Sequence, residues 1–260
     1  MKLAIFAIAL DEERYLAEWL EYHSALGFTD FIIYDNSPSN KLLEFATDRV
    51  KIIYFPGKGM QIPAYNHFLT NFADDFDYAI ALDIDEFLVI HNGLSLDQFI
   101  HKYLKSAGVA INWKIFGSNG RLHYSADPVV ERFTKCQSDF SDHIKTIINC
   151  RSVARYSNPH LPDITVDGQV FDLAGNLITG HTSPVDTTDI AQINHYFCKS
   201  WQEFNWKIQR GRITSGVEPR STDDFLWANR NDVDDLSALT FINNKKINSH
   251  VPTDSLQNPV

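Results

Sequence analysis

The chain has little of what would place a protein outside the cell or within a bilayer. Among 260 residues there are only three cysteines, Cys136, Cys150 and Cys198. Three thiols cannot all pair within one chain, and none has metal-ligand spacing, so buried reduced cysteines in a reducing compartment are expected. The longest apolar run near the start, residues 3–10, is far below the roughly 20 residues that a membrane-spanning helix needs, and no small-residue cleavage site follows it. The expectation is a cytoplasmic chain with no transmembrane segment, free to associate peripherally with the inner face of the membrane. Positive charge is also scarce, with 23 Lys and Arg against 33 Asp and Glu and a net charge of −10. That balance excludes a broad nucleic-acid-binding face and a polybasic anchor. A local basic pocket, or a divalent cation at an acidic site, remains open. At 44% hydrophobic and 22% charged the chain is neither disordered nor fibrous, and its length suits one domain with a tail.

Patterning supplies the architecture. Residues 3–10 read as a buried strand, Asp11-Glu12-Glu13 as the cap and acidic first turn of a helix reaching about Leu26, and Gly27 as its stop. Strands follow at 31–34, 50–55 and 78–82, with a helix over about 63–72 between the last two. This βαβ spacing predicts a mainly parallel sheet with helices on both faces, and ligands in such sheets sit at the carboxyl ends of strands. The strand exits at Asp35, Gly57 and Asp83 should therefore share a rim. A helix at 96–104 and a strand at 109–113 come next, then a stretch over 114–190 of short alternating runs and long loops, as expected of an antiparallel, loop-rich region. Helical spacing returns at 201–212.

The sharpest motif is Ala81-Leu82-Asp83-Ile84-Asp85-Glu86-Phe87. Two carboxylates two residues apart at a strand exit can aim oxygens at one hard divalent cation that also holds phosphate. A haloacid-type phosphohydrolase also uses Asp-x-Asp, but directly after its first strand and with Thr or Ser where Phe87 stands here. Taken locally, His195 in Ile193-Asn194-His195-Tyr196-Phe197 alternates like a core residue of a strand.

At this point the sequence resembles the glycosyltransferase family 2 relatives that merge into glycosyltransferase family 92. The resemblance is carried by Leu10-Asp11-Glu12-Glu13-Arg14-Tyr15-Leu16-Ala17-Glu18-Trp19-Leu20-Glu21-Tyr22-His23, by Ile33-Tyr34-Asp35-Asn36-Ser37, by the Asp-x-Asp motif, by Trp113-Lys114-Ile115-Phe116-Gly117-Ser118-Asn119-Gly120 and by Asn194-His195-Tyr196-Phe197-Cys198-Lys199-Ser200. It implies an α/β GT-A (Rossmann-like) fold over 1–242, with a nucleotide-sugar half at 1–113, an acceptor and metal-completing half at 114–242, and a polar tail at 243–260. The implied activity is metal-dependent, inverting transfer of a hexose from a UDP-sugar to a glycan or lipid-linked glycan, in polysaccharide or lipopolysaccharide assembly. An Asp-x-Asp phosphohydrolase and an inactive sugar-nucleotide-binding protein are the competing readings.

The resemblance makes Asp83, Asp85 and His195 ligands of Mn2+ or Mg2+. Asp35 is placed to meet uracil or ribose, or merely to cap its strand in an Asx-turn. Gln61, Tyr65 and Asn66 stand on the helix after Gly57-Lys58-Gly59, where its amino end can meet ribose and phosphate. Lys199 and Arg210 are surface cations by default, and Lys199 can balance diphosphate charge. His143, Lys145 and His160 read as acceptor-side or supporting positions. Inverting transfer needs a base for the acceptor hydroxyl, for which Glu131 and Asp163 are the two candidates. The acidic run 232–235 reads as a solvated helix cap, although the resemblance includes Asn231 and Asp235.

Overall fold

The computed structural model describes residues 1–165, 167–214 and 219–249. Its centre is a ten-stranded sheet whose strands we number β1 (Leu3–Ala9), β2 (Asp30–Asp35), β3 (Val50–Tyr54), β4 (Tyr78–Ala81), β5 (Glu86–Ile90), β6 (Gly108–Ile115), β7 (Ser141–Asn149), β8 (Val170–Asp172), β9 (Leu177–Ile178) and β10 (Ala191–His195). The helices are α1 (Glu13–Leu26), α2 (Gln61–Asn71), α3 (Leu96–Tyr103), α4 (Val129–Arg132), α5 (Trp201–Arg210), α6 (Thr222–Ala228) and α7 (Ser237–Ser249). Spatial order is β9-β8-β6-β7-β4-β1-β2-β3, with β10 beside β6 and β5 beside β10. Pairing is parallel for β1–β2, β1–β4, β2–β3, β6–β8 and β6–β10, and antiparallel where β5, β7 and β9 join. The α/β, mainly parallel expectation holds.

Alternation along β1 explains why both faces are covered. Leu3, Ile5, Ala7 and Ala9 join one core cluster with Leu16, Trp19 and Tyr22 of α1. Ala4, Phe6 and Ile8 join another with Ala64, Tyr65 and Phe68 of α2. A strand buried on both sides reads as a continuous apolar run, which is how residues 3–10 read. Gly27 closes α1 at φ +127°, a backbone conformation open to glycine, and its N–H reaches the carbonyls of His23 and Ser24. All three cysteines are buried and free, and burial pushes each thiol up to about 12.

Three details differ from the sequence reading. β5, directly after the acidic turn, is a strand that the turn-forming residues before it concealed. β7 inserts between β4 and β6, so the 1–113 and 114–242 halves interleave in one sheet. The 242/243 boundary falls inside α7, and residues 250–260 of the expected tail lie outside the described residues.

Candidate active site

Asp83 and Asp85 sit on the turn that leaves β4 and starts β5. That turn is pinned from two sides: the Asp83 N–H donates to Glu86 Oε2 at 2.9 Å, and the Tyr196 N–H donates to the Asp85 carbonyl at 2.8 Å. β10 runs antiparallel to β5 with His195 opposite Glu86, so the end of β10 arrives beside the acidic turn. His195 Nε2 thereby lies 3.6 Å from Asp85 Oδ1, with both side chains almost fully buried. The other Asp85 oxygen accepts from Lys207 on α5, whose ammonium also donates to the Phe197 carbonyl at 2.9 Å. Helix α5 is fixed at its start by a reciprocal cap between Ser200 and Glu203.

Charge in this cleft is balanced pair by pair. Lys145 of β7 lies 3.2 Å from Asp83 Oδ2 and 3.1 Å from Glu86 Oε2. Burial works against its charge, but Asp83 and then Glu86 outweigh that and hold the ammonium well above its ordinary pKa. Burial likewise disfavours ionised Asp85, yet Lys207 and His195 hold its carboxyl well below the usual range. Burial lowers Lys207 to about 8 and is partly opposed by Asp85. Arg210 pairs with Glu12 and donates to the Leu10 carbonyl at 2.6 Å. Arg212 and Arg220 complete the wall, each with a buried Nε–H that has no partner among the described residues. The cleft, about 280 Å³, is therefore lined by five cations against the carboxylates of Glu12, Asp83 and Asp85, with Arg212 also paired with Asp224 at 3.4 Å outside the lining. In a chain of net charge −10 this is a local positive site, and its surplus of charge suits a phosphate-bearing ligand.

The residues fit a divalent cation in a limited way. Asp85 Oδ1 and His195 Nε2 are an oxygen and an imidazole donor within reach of one ion, a mixture that manganese accepts. Among the described residues no group of three His, Cys, Asp or Glu converges as a closed cage. That pattern suits an ion held by two protein donors and completed by phosphate oxygens. Asp83 faces elsewhere, with Oδ2 on Lys145 and Oδ1 accepting from Gln61 Nε2 at 3.3 Å.

Other residues singled out from sequence divide clearly. Gln61 lines the cleft and accepts from Thr214 Oγ1 at 2.8 Å. Lys145 and His160 line it too, while His143 stacks on Trp113 with ring centroids 5.2 Å apart. Lys199, buried at φ +52°, places its ammonium over the Tyr15 ring in an adjoining hollow that shares Glu12, Lys207 and Arg210 with the cleft. Asp35 is not a free acceptor: it is fully buried and its oxygens take the N–H groups of Ser37 and Leu42, so the Asx-turn reading is the correct one. Asn66 is likewise spent on structure, bonding the Tyr156 N–H and carbonyl and the Ile62 carbonyl. Neither base candidate reaches the cleft. Glu131 is exposed on α4, and Asp163 lines a separate hollow, paired with Arg155 at 2.6 Å and Ser157 at 2.8 Å. Asn231 and Asp235 brace the fold by accepting from Asn119 and from Gln192; 233–234 form a short strand, and Asp235 Oδ1 also takes the Ser237 N–H at 2.9 Å where α7 begins, as a helix cap does.

Sequence reasoning missed Lys207, Arg212 and Arg220. Lys207 lies on α5 among solvated-looking charges, and only the approach of α5 to the acidic turn distinguishes it. Trp113, part of the motif that starts within β6, is the indole against which His195 packs, with ring centroids 4.3 Å apart.

Comparison with known proteins bears on the whole of this cleft. A glycosyltransferase family 92 protein of Ricinus communis is 23% identical over 227 residues, covering 84% of this chain and 39% of that protein. One of Arabidopsis thaliana is 23% identical over 234 residues, with the same two coverages. The chain spans about two fifths of the length of these curated relatives. Among solved structures, HddC from Yersinia pseudotuberculosis aligns over 67% of this chain and 92% of that one, at 11% identity and a TM-score of 0.40, too distant to carry argument. The model of glycosyltransferase family 92 matches residues 8–234, a span holding both aspartates, His195 and α5, and the chain belongs to that family.

Proposed function

We propose that this glycosyltransferase domain moves a hexose from a uridine diphosphate sugar to a glycan or lipid-linked glycan, inverting the anomeric centre with the aid of Mn2+ or Mg2+. The observation that carries the reading is the Asp85–His195 pair at the strand rim, faced by a surplus of cations. Asp85 and His195 would hold the ion, which when bound supplies Lewis-acid neutralisation of charge on the leaving diphosphate. Arg212 and Arg220 of the cleft wall would take phosphate oxygens, and Lys207 and Arg210 would fix the carboxylates between them. Asp83 is held by Lys145 and Gln61 and offers no free nucleophile, which works against the phosphohydrolase reading. The choice of uridine rests on the family resemblance alone, since Asp35 is occupied by its own turn.

The test is calorimetric titration of UDP, GDP and CDP with and without manganese. UDP should bind at least ten times tighter than the others, about 1.4 kcal/mol, and only with metal present. Tighter binding of GDP or CDP would reject the donor, and no nucleotide binding at all would reject the transferase reading of the cleft.

A further inference from the structure

Transfer requires that something accept the acceptor's proton, and the cleft is nearly exhausted of free acceptors. Among the described residues its proton-accepting side chains are Glu12, Asp83, Asp85, His160 and His195. The three carboxylates face Arg210, Lys145 and Lys207, and the second oxygen of Glu12 is buried. His195 turns Nε2 to Asp85 and has a buried Nδ1 out of reach of any substrate.

His160 is different. Its Nδ1 lies 2.9 Å from the Ile144 carbonyl, and because a carbonyl only accepts, Nδ1 carries the proton. Nε2 is then a lone pair, and it has no partner among the described residues. The ring is held as well as oriented: its centroid is 5.1 Å from Trp113 and 5.7 Å from His143, while the backbone N–H of His160 donates to Asn158 Oδ1 at 2.8 Å and its backbone carbonyl accepts from Thr146 Oγ1 at 2.9 Å. The Trp113 indole that touches His160 also touches His195, which puts the imidazole beside the ion-holding end of the cleft. The loop carrying His160 also borders the separate hollow, about 440 Å³, that Asn158, Leu161 and Asp163 line.

We propose that His160 is the general base of the transfer, an assignment that rests on the function proposed above. In the step, the acceptor O–H bond breaks and its proton passes to Nε2. The oxygen forms a bond to the anomeric carbon as that carbon's bond to the diphosphate breaks, and the diphosphate leaves with the electron pair. The imidazolium later returns the proton to water. Burial, then Lys145, push the His160 pKa down to about 3, so the ring is neutral before reaction. The bond to the Ile144 carbonyl and then Asp83 oppose this, and His143 adds to it.

The experiment uses His160→Asn, whose amide can still donate to the Ile144 carbonyl but lacks Nε2, with His160→Ala as a second variant and a melting curve for each. The donor is UDP-glucose or UDP-galactose, whichever the wild type binds, and the acceptor is water, read as UDP release. Release to water should fall by about two orders of magnitude, the range of general-base catalysis, while donor affinity stays at the wild-type level. Azide, an anionic nucleophile that needs no base, should restore release and give a glycosyl azide of inverted configuration. Near-normal release to water in the variants would overturn the assignment, as would donor binding without azide rescue, which marks a positioning role instead. A wild type that neither binds nor cleaves either UDP-sugar would reject the proposed function, an outcome separate from failure in the variants alone.

Discussion

Asp85 carries two loads, an ion pair with buried Lys207 and the proposed metal bond, and the two can be separated. Asp85→Asn should abolish manganese-dependent UDP binding and also destabilise the fold by up to about 3–5 kcal/mol, because buried Lys207 loses its carboxylate partner. Adding Lys207→Met should recover most of the stability in urea unfolding while binding stays lost. His195→Ala should remove metal-dependent binding with a much smaller change in melting, and calorimetry beside a melting curve distinguishes the effects. Unchanged affinity in His195→Ala would make it a plain core residue. At this scale the sequence was legible where chemistry is local: Asp83 and Asp85 are two residues apart on one turn. For Asp35 it left two readings open, a ligand contact and an Asx-turn, and for Asn66 it pointed to a ligand. Their partners are main-chain groups of Leu42 and Tyr156, and no side-chain pattern announces a backbone N–H.

Helix α5 brings Lys207 and Arg210 to the cleft, so its start should matter to binding as well as to stability. Ser200 takes the Glu203 N–H while Glu203 returns to the Ser200 N–H, and Ser200→Ala should cost about 1 kcal/mol in chemical denaturation. The loop after β6 is less forgiving. A Cβ at Gly117 would stand 2.1 Å from the Arg230 carbonyl oxygen and 2.4 Å from Asn231 Oδ1. Gly117→Ala should therefore destabilise by about 1–3 kcal/mol or more, measured the same way. Helices α1, α3 and α5 were readable because stops, caps and apolar stripes are encoded within one turn. β5 was not. Its five residues follow the acidic turn without a break, and what makes them a strand is pairing with β10, a hundred residues later.

Across the whole molecule, acid stability should depend on a histidine that does not line the cleft. His23 is fully buried in α1, with Nδ1 donating to the Trp19 carbonyl and Nε2 accepting from the Leu88 N–H, so only the neutral ring is satisfied. Burial lowers its pKa to about 3, slightly opposed by the Trp19 bond. The unfolded chain binds this proton near pH 6.5 and the folded one does not until about 3. The stability contributed by the neutral ring is thus complete above that upper value and is lost as pH falls through the window. His23→Gln should flatten the stability-against-pH slope between about pH 5.5 and 4.5 by about 1.4 kcal/mol per unit, the value for one proton, in urea titrations. An unchanged slope would contradict the burial argument.

The placement of β7 between β4 and β6 has a consequence for the nascent chain. A ribosome finishes β1 to β4 well before residues 141–149 emerge, and until then the β4 side of the young sheet has open backbone donors and acceptors with no neighbour. The amino-terminal half of the sheet cannot mature first and wait for the rest. A truncated product ending near residue 113 should stick to itself or to chaperones, and the sheet should close cooperatively only once β7 slides into its gap.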